Sequence, residues 1–124
     1  MAARSPEETH ELIEAAFNAG DLEAFVSVYE RGAATTVPAS DVRAQGHDAI
    51  RAAVEPVLAR RPRASMEVVQ TLQAGELALT LARWTLQFSD GDHPTSMSGH
   101  GTIVSRRQGD GTWRIVLDIP DRAG

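Results

Sequence analysis

Apolar positions recur along this chain with two different periods, and the period changes near the middle. From Thr9 to Phe17, the positions Thr9, Leu12, Ile13, Ala16 and Phe17 fall three and four apart, the spacing of one helix face. Ser5-Pro6-Glu7-Glu8 precedes them. The Ser5 hydroxyl is placed to accept from the Glu8 amide while the Glu8 carboxylate reaches back, and proline suits the first helical position. Gly20 is placed to end the helix in a left-handed turn. Asp21 then predicts the cap of a second helix, with Leu22, Phe25, Val26 and Tyr29 as its buried stripe and Gly32 at its end. Ala34 to Val37 reads as a short strand, Pro38 to Asp41 as a turn, and Val42 to Gln45 as its hairpin partner. A third helix is expected from Gly46-His47-Asp48, capped by Asp48, with Ile50, Ala53, Val54, Val57 and Leu58 facing inward. Pro56 lies inside that pattern and is expected to kink or split the helix, because it lacks an amide donor.

After Pro62 the period becomes two. Ser65 to Leu72 alternates, with Met66, Val68 and Leu72 assigned to one face and Val69 to the other. Glu76 to Phe88, Ser98 to Arg107 and Thr112 to Ile119 follow as longer strands. Gly109-Asp110-Gly111 joins the last two as a hairpin turn. Asp90 to Pro94 joins Glu76–Phe88 to Ser98–Arg107. Helices first and consecutive strands later predict an α+β fold, a curved antiparallel sheet wrapped around three N-terminal helices with an internal pocket.

Composition narrows the chemistry. A chain of 124 residues fits one domain, residues 1–124. Its net charge is −5, and all 12 of its basic residues are arginine. An acidic chain whose arginines are not interleaved with aromatics is not expected to bind nucleic acid. The absence of lysine excludes Schiff-base chemistry. The absence of cysteine excludes disulfides, thiolate nucleophiles and cysteine metal sites. No apolar run approaches the ~20 residues that span a bilayer, and the polar segment Met1 to Thr9 does not read as a secretory signal. A cytoplasmic location is expected. The arginine- and alanine-rich usage suits a high-GC bacterial genome. None of the eight serines sits in a nucleophile elbow. Asp90, Asp92 and His93, and the pair His47-Asp48, lack the convergence a metal needs, so no metal is expected.

Three strings, Phe17-Asn18-Ala19-Gly20-Asp21-Leu22-Glu23-Ala24-Phe25, Gly46-His47-Asp48-Ala49-Ile50-Arg51, and Arg106 to Val116 around Gly109-Asp110-Gly111, stand in an order that resembles nuclear-transport-factor-2-like domains, of the SnoaL-like or SgcJ/EcaC-like branch. The resemblance spans essentially the whole chain. It implies a cone-shaped α+β barrel with a deep, mostly apolar pocket, and a homodimer packed through the sheet. It says little about chemistry, since the fold hosts isomerases, cyclases, dehydratases and binding modules. Ketosteroid isomerases are relatives with a carboxylate base, a helix tyrosine and a protonated aspartic acid. Those positions fall here at Val37 or Pro38, near Ile13 and near Ile103, so that constellation is absent. Tyr29 matches a second-helix tyrosine that supports the isomerase hydrogen-bond network.

SnoaL-type cyclases carry an acid/base aspartate on the last strand, and the resemblance places Asp118 there. Strict alternation would put Arg114, Val116 and Asp118 on one side, and the likeness to the isomerases implies that this side faces the pocket. A desolvated carboxylate there would be raised toward neutrality and suited to proton transfer. The alternative for Asp118 is a strand-end aspartate paired with Arg114 or Arg83, or solvated. Tyr29, Trp84, Phe17, Val37, Arg114 and Val116 are the expected ligand-binding residues. Tyr29 and Trp84 serve equally as core aromatics with one satisfied hydrogen bond. His100, between Gly99 and Gly101, is a second acid/base candidate, although the likeness to the isomerases, carried along an unbulged strand, turns it away from the pocket. The expected function is binding of a small hydrophobic, polycyclic or polyketide-like molecule. It extends to cofactor-free isomerisation, dehydration or aldol-type cyclisation, with Tyr29 and His100 as oxyanion donors. The alternative is a non-catalytic carrier or a dimerisation domain.

Overall fold

A computed structural model describes residues 2–37, 42–90 and 92–122 of the chain. The first helix, α1, runs Pro6–Ala19, and Ser5 caps it by accepting from the Glu8 amide at 3.2 Å. The Glu8 carboxylate reaches back one residue further than the capping pattern suggests, accepting from the Arg4 amide at 3.0 Å. Gly20 ends the helix at φ 65°, a left-handed conformation that glycine adopts without a Cβ penalty. Asp21 caps α2, Leu22–Ser27, through the Ala24 amide.

The second helix stops earlier than its apolar stripe predicts. The Val28 carbonyl accepts from the Ile115 amide at 2.8 Å, and from Tyr29 the chain is already strand β1, Tyr29–Val37. Pairing with the last strand outweighs the local helical pattern, so Tyr29 belongs to the sheet and Gly32 lies within a strand. After β2, Val42–Gln45, helix α3 runs His47–Ala59 as one element through Pro56. Pro56 and Ala52 both lie on the exposed side, where water can satisfy the carbonyl that proline leaves unpaired. Asp48 bonds Arg51 rather than capping the helix.

Four long strands complete the fold: β3 Arg63–Ala74, β4 Leu77–Asp90, β5 His93–Arg107 and β6 Trp113–Arg122. The sheet order is β2-β1-β6-β5-β4-β3. It is mixed, because β1 runs parallel to β6 while the other neighbours are antiparallel. The sheet stays open rather than closing into a barrel. Helix α1 lies against β3, and α3 against β1 and β2. Ile13, Phe17, Phe25, Val26, Ile50 and Ile115 are among the buried side chains that join helices to sheet. No helix among the described residues is long and apolar enough to cross a membrane.

Two bulges decide which side chains face inward. In β3, Val69 is the extra residue between Val68 and Gln70, so Leu72 pairs with Leu79 on the outer face instead of joining Met66 and Val68. In β6, the partner of Val104 is Leu117 and that of Ser105 is Ile115, which leaves Val116 unpaired. A bulge of this kind shifts the alternation by one residue. Trp113 and Ile115 point inward before it, and Asp118 and Pro120 after it, while Leu117 and Ile119 point outward.

Candidate functional site

Between the helices and the inner sheet face lies a cleft. About 600 Å³ of it is free of protein atoms, open mouth included, yet only about 50 Å³ takes the centre of a water molecule. Its interior is therefore narrow. Ile13, Phe17, Val37 and Ile103 give it mostly apolar walls. Three of these occupy the positions where the isomerase comparison expects tyrosine, base and acid; Pro38, the other position for the base, lies outside the described residues.

The polar groups come from three elements. Asp118 stands on β6 beyond the bulge and pairs with Ile103 on one side and Thr35 on the other. Tyr29, at the start of β1, is buried and donates its hydroxyl to Asp118 Oδ2 at 2.6 Å. Burial pushes the Asp118 carboxyl up from 3.8 to about 6, and the Tyr29 hydrogen bond holds it back. Burial first, and the Asp118 charge second, push the Tyr29 phenol well above its ordinary value. The phenol therefore stays protonated and its proton is committed to Asp118. Tyr29 positions the carboxyl; it is not a free oxyanion donor. Tyr29→Phe should shift the Asp118 titration above about 6, because the one hydrogen bond that lowers it is gone. Carboxyl carbon shifts followed by NMR across pH would check this, and an unmoved midpoint would remove the hydroxyl from the account.

His10 is the group the sequence reading missed. It lies on the inward side of α1, three residues before Ile13, and its Nε2 is 2.6 Å from Thr80 Oγ1 on β4. Burial lowers it from 6.5 to about 4, with the Glu7 charge pulling weakly the other way, so at neutral pH the ring is uncharged. The available signal was its place in the apolar stripe of the first helix. Trp84, on β4, is 5% exposed and lines the same cleft.

Arg114 and Val116 do not line the cleft: the bulge at Val116 separates them from the inward face that Asp118 occupies. The pairing of Asp118 with an arginine is replaced by its bond to Tyr29, and Arg83 instead donates to Glu67. His100 is exposed, cross-strand from Arg83 and Asp121 on the outer face, and cannot reach the cleft. Asp92 and His93 are exposed, and among the described residues no three histidine, aspartate or glutamate side chains converge as a cation site.

A family model described as the SnoaL-like domain matches residues 9–116. No curated protein matches the sequence. Among solved structures, a ketosteroid isomerase-like protein from Erwinia carotovora atroseptica superposes with a TM-score of 0.81 at 16% identity, covering 95% of this chain and 93% of that one. A provisionally assigned calcium/calmodulin-dependent protein kinase type II association domain from Thiobacillus denitrificans gives 0.77 at 23% identity, with 98% of each chain covered. A provisionally assigned dehydratase of the nuclear-transport-factor-2-like family from Streptomyces avermitilis gives 0.77 at 12% identity, covering 91% of this chain and 90% of that one. At these identities the likeness is one of fold.

Proposed function

Since this chain belongs to the SnoaL-like domain family of nuclear-transport-factor-2-like folds, we propose that its cleft binds a small, flat, mostly apolar molecule and moves a proton on it without a cofactor. The observation that carries this reading is Asp118: a buried carboxyl, raised to about 6 and held by Tyr29, in an otherwise apolar slot. A base of that strength works near neutral pH, where it is ionised yet still accepts a proton readily. The step breaks a C–H bond α to a ligand carbonyl. The proton passes to Asp118 Oδ1, and the electron pair spreads onto the carbonyl oxygen as an enolate. Once Asp118 has swapped its proton with solvent, return to the same carbon completes exchange; return to another carbon completes isomerisation; and passage to a departing β-hydroxyl, as the Cβ–O bond breaks and water leaves, completes elimination. A narrow slot favours one or two fused rings over a larger polycycle.

The test is α-proton exchange. Acetophenone in D2O should lose its methyl proton signal faster with the protein than in buffer alone. A wild-type protein that binds acetophenone without exchanging it would favour the carrier reading instead.

A second reading concerns the outer sheet face. Leu117, Val104, Leu79 and Leu72 form one cross-strand row over β6, β5, β4 and β3, with Ile119 beside it. Leu72, Leu117 and Ile119 are 61%, 50% and 59% exposed, large for aliphatic side chains. Burying this apolar patch against a second copy of the chain would remove it from water. The paired substitutions Leu117→Arg and Ile119→Arg should then give a monomer where the wild type sediments as a dimer. A wild type that is monomeric at ~100 µM removes the dimer reading, since stable interfaces usually bind far more tightly.

A further inference from the structure

Trp84 Nε1 is buried and has no hydrogen-bond partner among the described residues. Such an orphan is uncommon, because a buried N–H without a partner forfeits its hydration. The indole lies in the cleft wall beside Gly101, which also lines the cleft. A Cβ built on Gly101 would stand 3.5 Å from Trp84 Cδ1 and 4.0 Å from Nε1. The N–H edge of the ring thus borders the space that the missing side chain leaves open. Two other polar groups of the cleft are engaged: the Tyr29 hydroxyl on Asp118, and His10 Nε2 on Thr80. The slot therefore offers an unspent neutral donor in one wall and a carboxyl in another.

We propose that Trp84 Nε1–H is the donor that fixes a carbonyl-class oxygen of the ligand, so that the cleft selects flat carbonyl compounds over hydrocarbons of the same shape. A hydrocarbon would leave the indole N–H buried and unpaired, and a site with such a donor rejects the analogue that lacks the acceptor. This rests on the reading of the cleft as a ligand site. It adds the chemical class and the residue that reads it. In the proton-transfer step the same oxygen gains the enolate charge, so the indole bond strengthens as the reaction proceeds.

Acetophenone and ethylbenzene provide a matched test, since both carry a ring and a two-carbon chain and they differ in the carbonyl. The full chain, labelled with 15N, should bind acetophenone at least about five-fold more tightly than ethylbenzene, the size of one net neutral hydrogen bond. The Trp84 indole proton should move downfield with acetophenone and not with ethylbenzene. Trp84→Phe, which keeps an aromatic wall, should bring the two affinities within about two-fold. If that variant does not fold, the wild-type indole shift decides alone. Equal wild-type affinities, a preference that survives in Trp84→Phe, or an unmoved indole signal would overturn the donor role and leave ligand binding standing. A wild type that binds neither compound would overturn both.

Discussion

Asp118→Asn should all but abolish α-proton exchange and remove a stability term that grows in acid. Loss of a general base costs typically ~10²–10⁴ in rate. The stability effect follows from the raised carboxyl. Its folded value of about 6 lies above the ordinary 3.8. The folded chain therefore holds the proton more tightly than the unfolded chain. The stabilisation is fully present below pH 3.8 and is lost as pH rises through 6. At about 1.4 kcal/mol per unit, the ionised carboxyl costs the native state roughly 3 kcal/mol above pH 7. Asparagine at this position keeps an oxygen for the Tyr29 hydroxyl and never ionises. Its amide also needs a partner, but that offset does not vary with pH. Relative to wild type, Asp118→Asn should therefore gain about 2 kcal/mol between pH 4.5 and pH 8, the part of the full effect that lies in that window. Urea midpoints at a series of pH values would measure it. A constant difference across that range would mean Asp118 titrates as an ordinary aspartate, and the proton-transfer reading would lose its base.

His10→Gln should produce the opposite slope. The ring titrates near 4 when folded, against 6.5 for an unperturbed histidine. A lowered histidine favours the native state while neutral, so its stabilisation is complete above 6.5 and is lost as pH falls toward 4. By pH 4.5 the charging of the unfolded state costs the fold roughly 2 to 3 kcal/mol. A glutamine side chain can still reach Thr80 and carries no such penalty, so the variant should gain that amount on wild type between pH 8 and pH 4.5. Asp118 gains stability over much of the window in which His10 loses it. The two offset each other in the wild type, which should show a nearly flat profile from pH 4.5 to 7 in the same urea series. Each single substitution exposes the other group: Asp118→Asn falls in acid, and His10→Gln falls toward alkaline pH. A wild type that weakens steeply in acid above pH 4.5 would show that one of the two groups is not perturbed as described.

These two residues also mark where sequence reading succeeds and where it stops. Asp118 is legible because the family resemblance puts an acid on the last strand. Its inward orientation is expected from the isomerase comparison, but its companions on that face are not legible. Alternation groups it with Arg114 and Val116, whereas a bulge at Val116 turns it to the side of Ile115. Tyr29 fits a helical stripe yet is the first residue of a strand, held there by the Ile115 amide on the Val28 carbonyl. Its hydroxyl proton, expected for a ligand oxyanion, belongs to Asp118, 89 positions away in sequence. His10 escapes notice because a histidine in a helical stripe acquires meaning only from what packs on it, and Thr80 comes from a distant strand.

By itself, the sequence determined the local features: the Ser5 and Asp21 caps, the left-handed Gly20, the hairpin at Gly109 to Gly111 and the passage from helices to strands. Each rests on groups a few residues apart, whose energetics are complete within one turn of chain. The tertiary structure decided which side chains meet. Pairing β1 parallel to β6 brought Tyr29 to Asp118. The bulges at Val69 and Val116 sent Leu72 to the outer face and Asp118 to the inner one. A strand has period two, so one inserted residue exchanges its faces, and the ladder on the neighbouring strand is what selects where that residue is left unpaired.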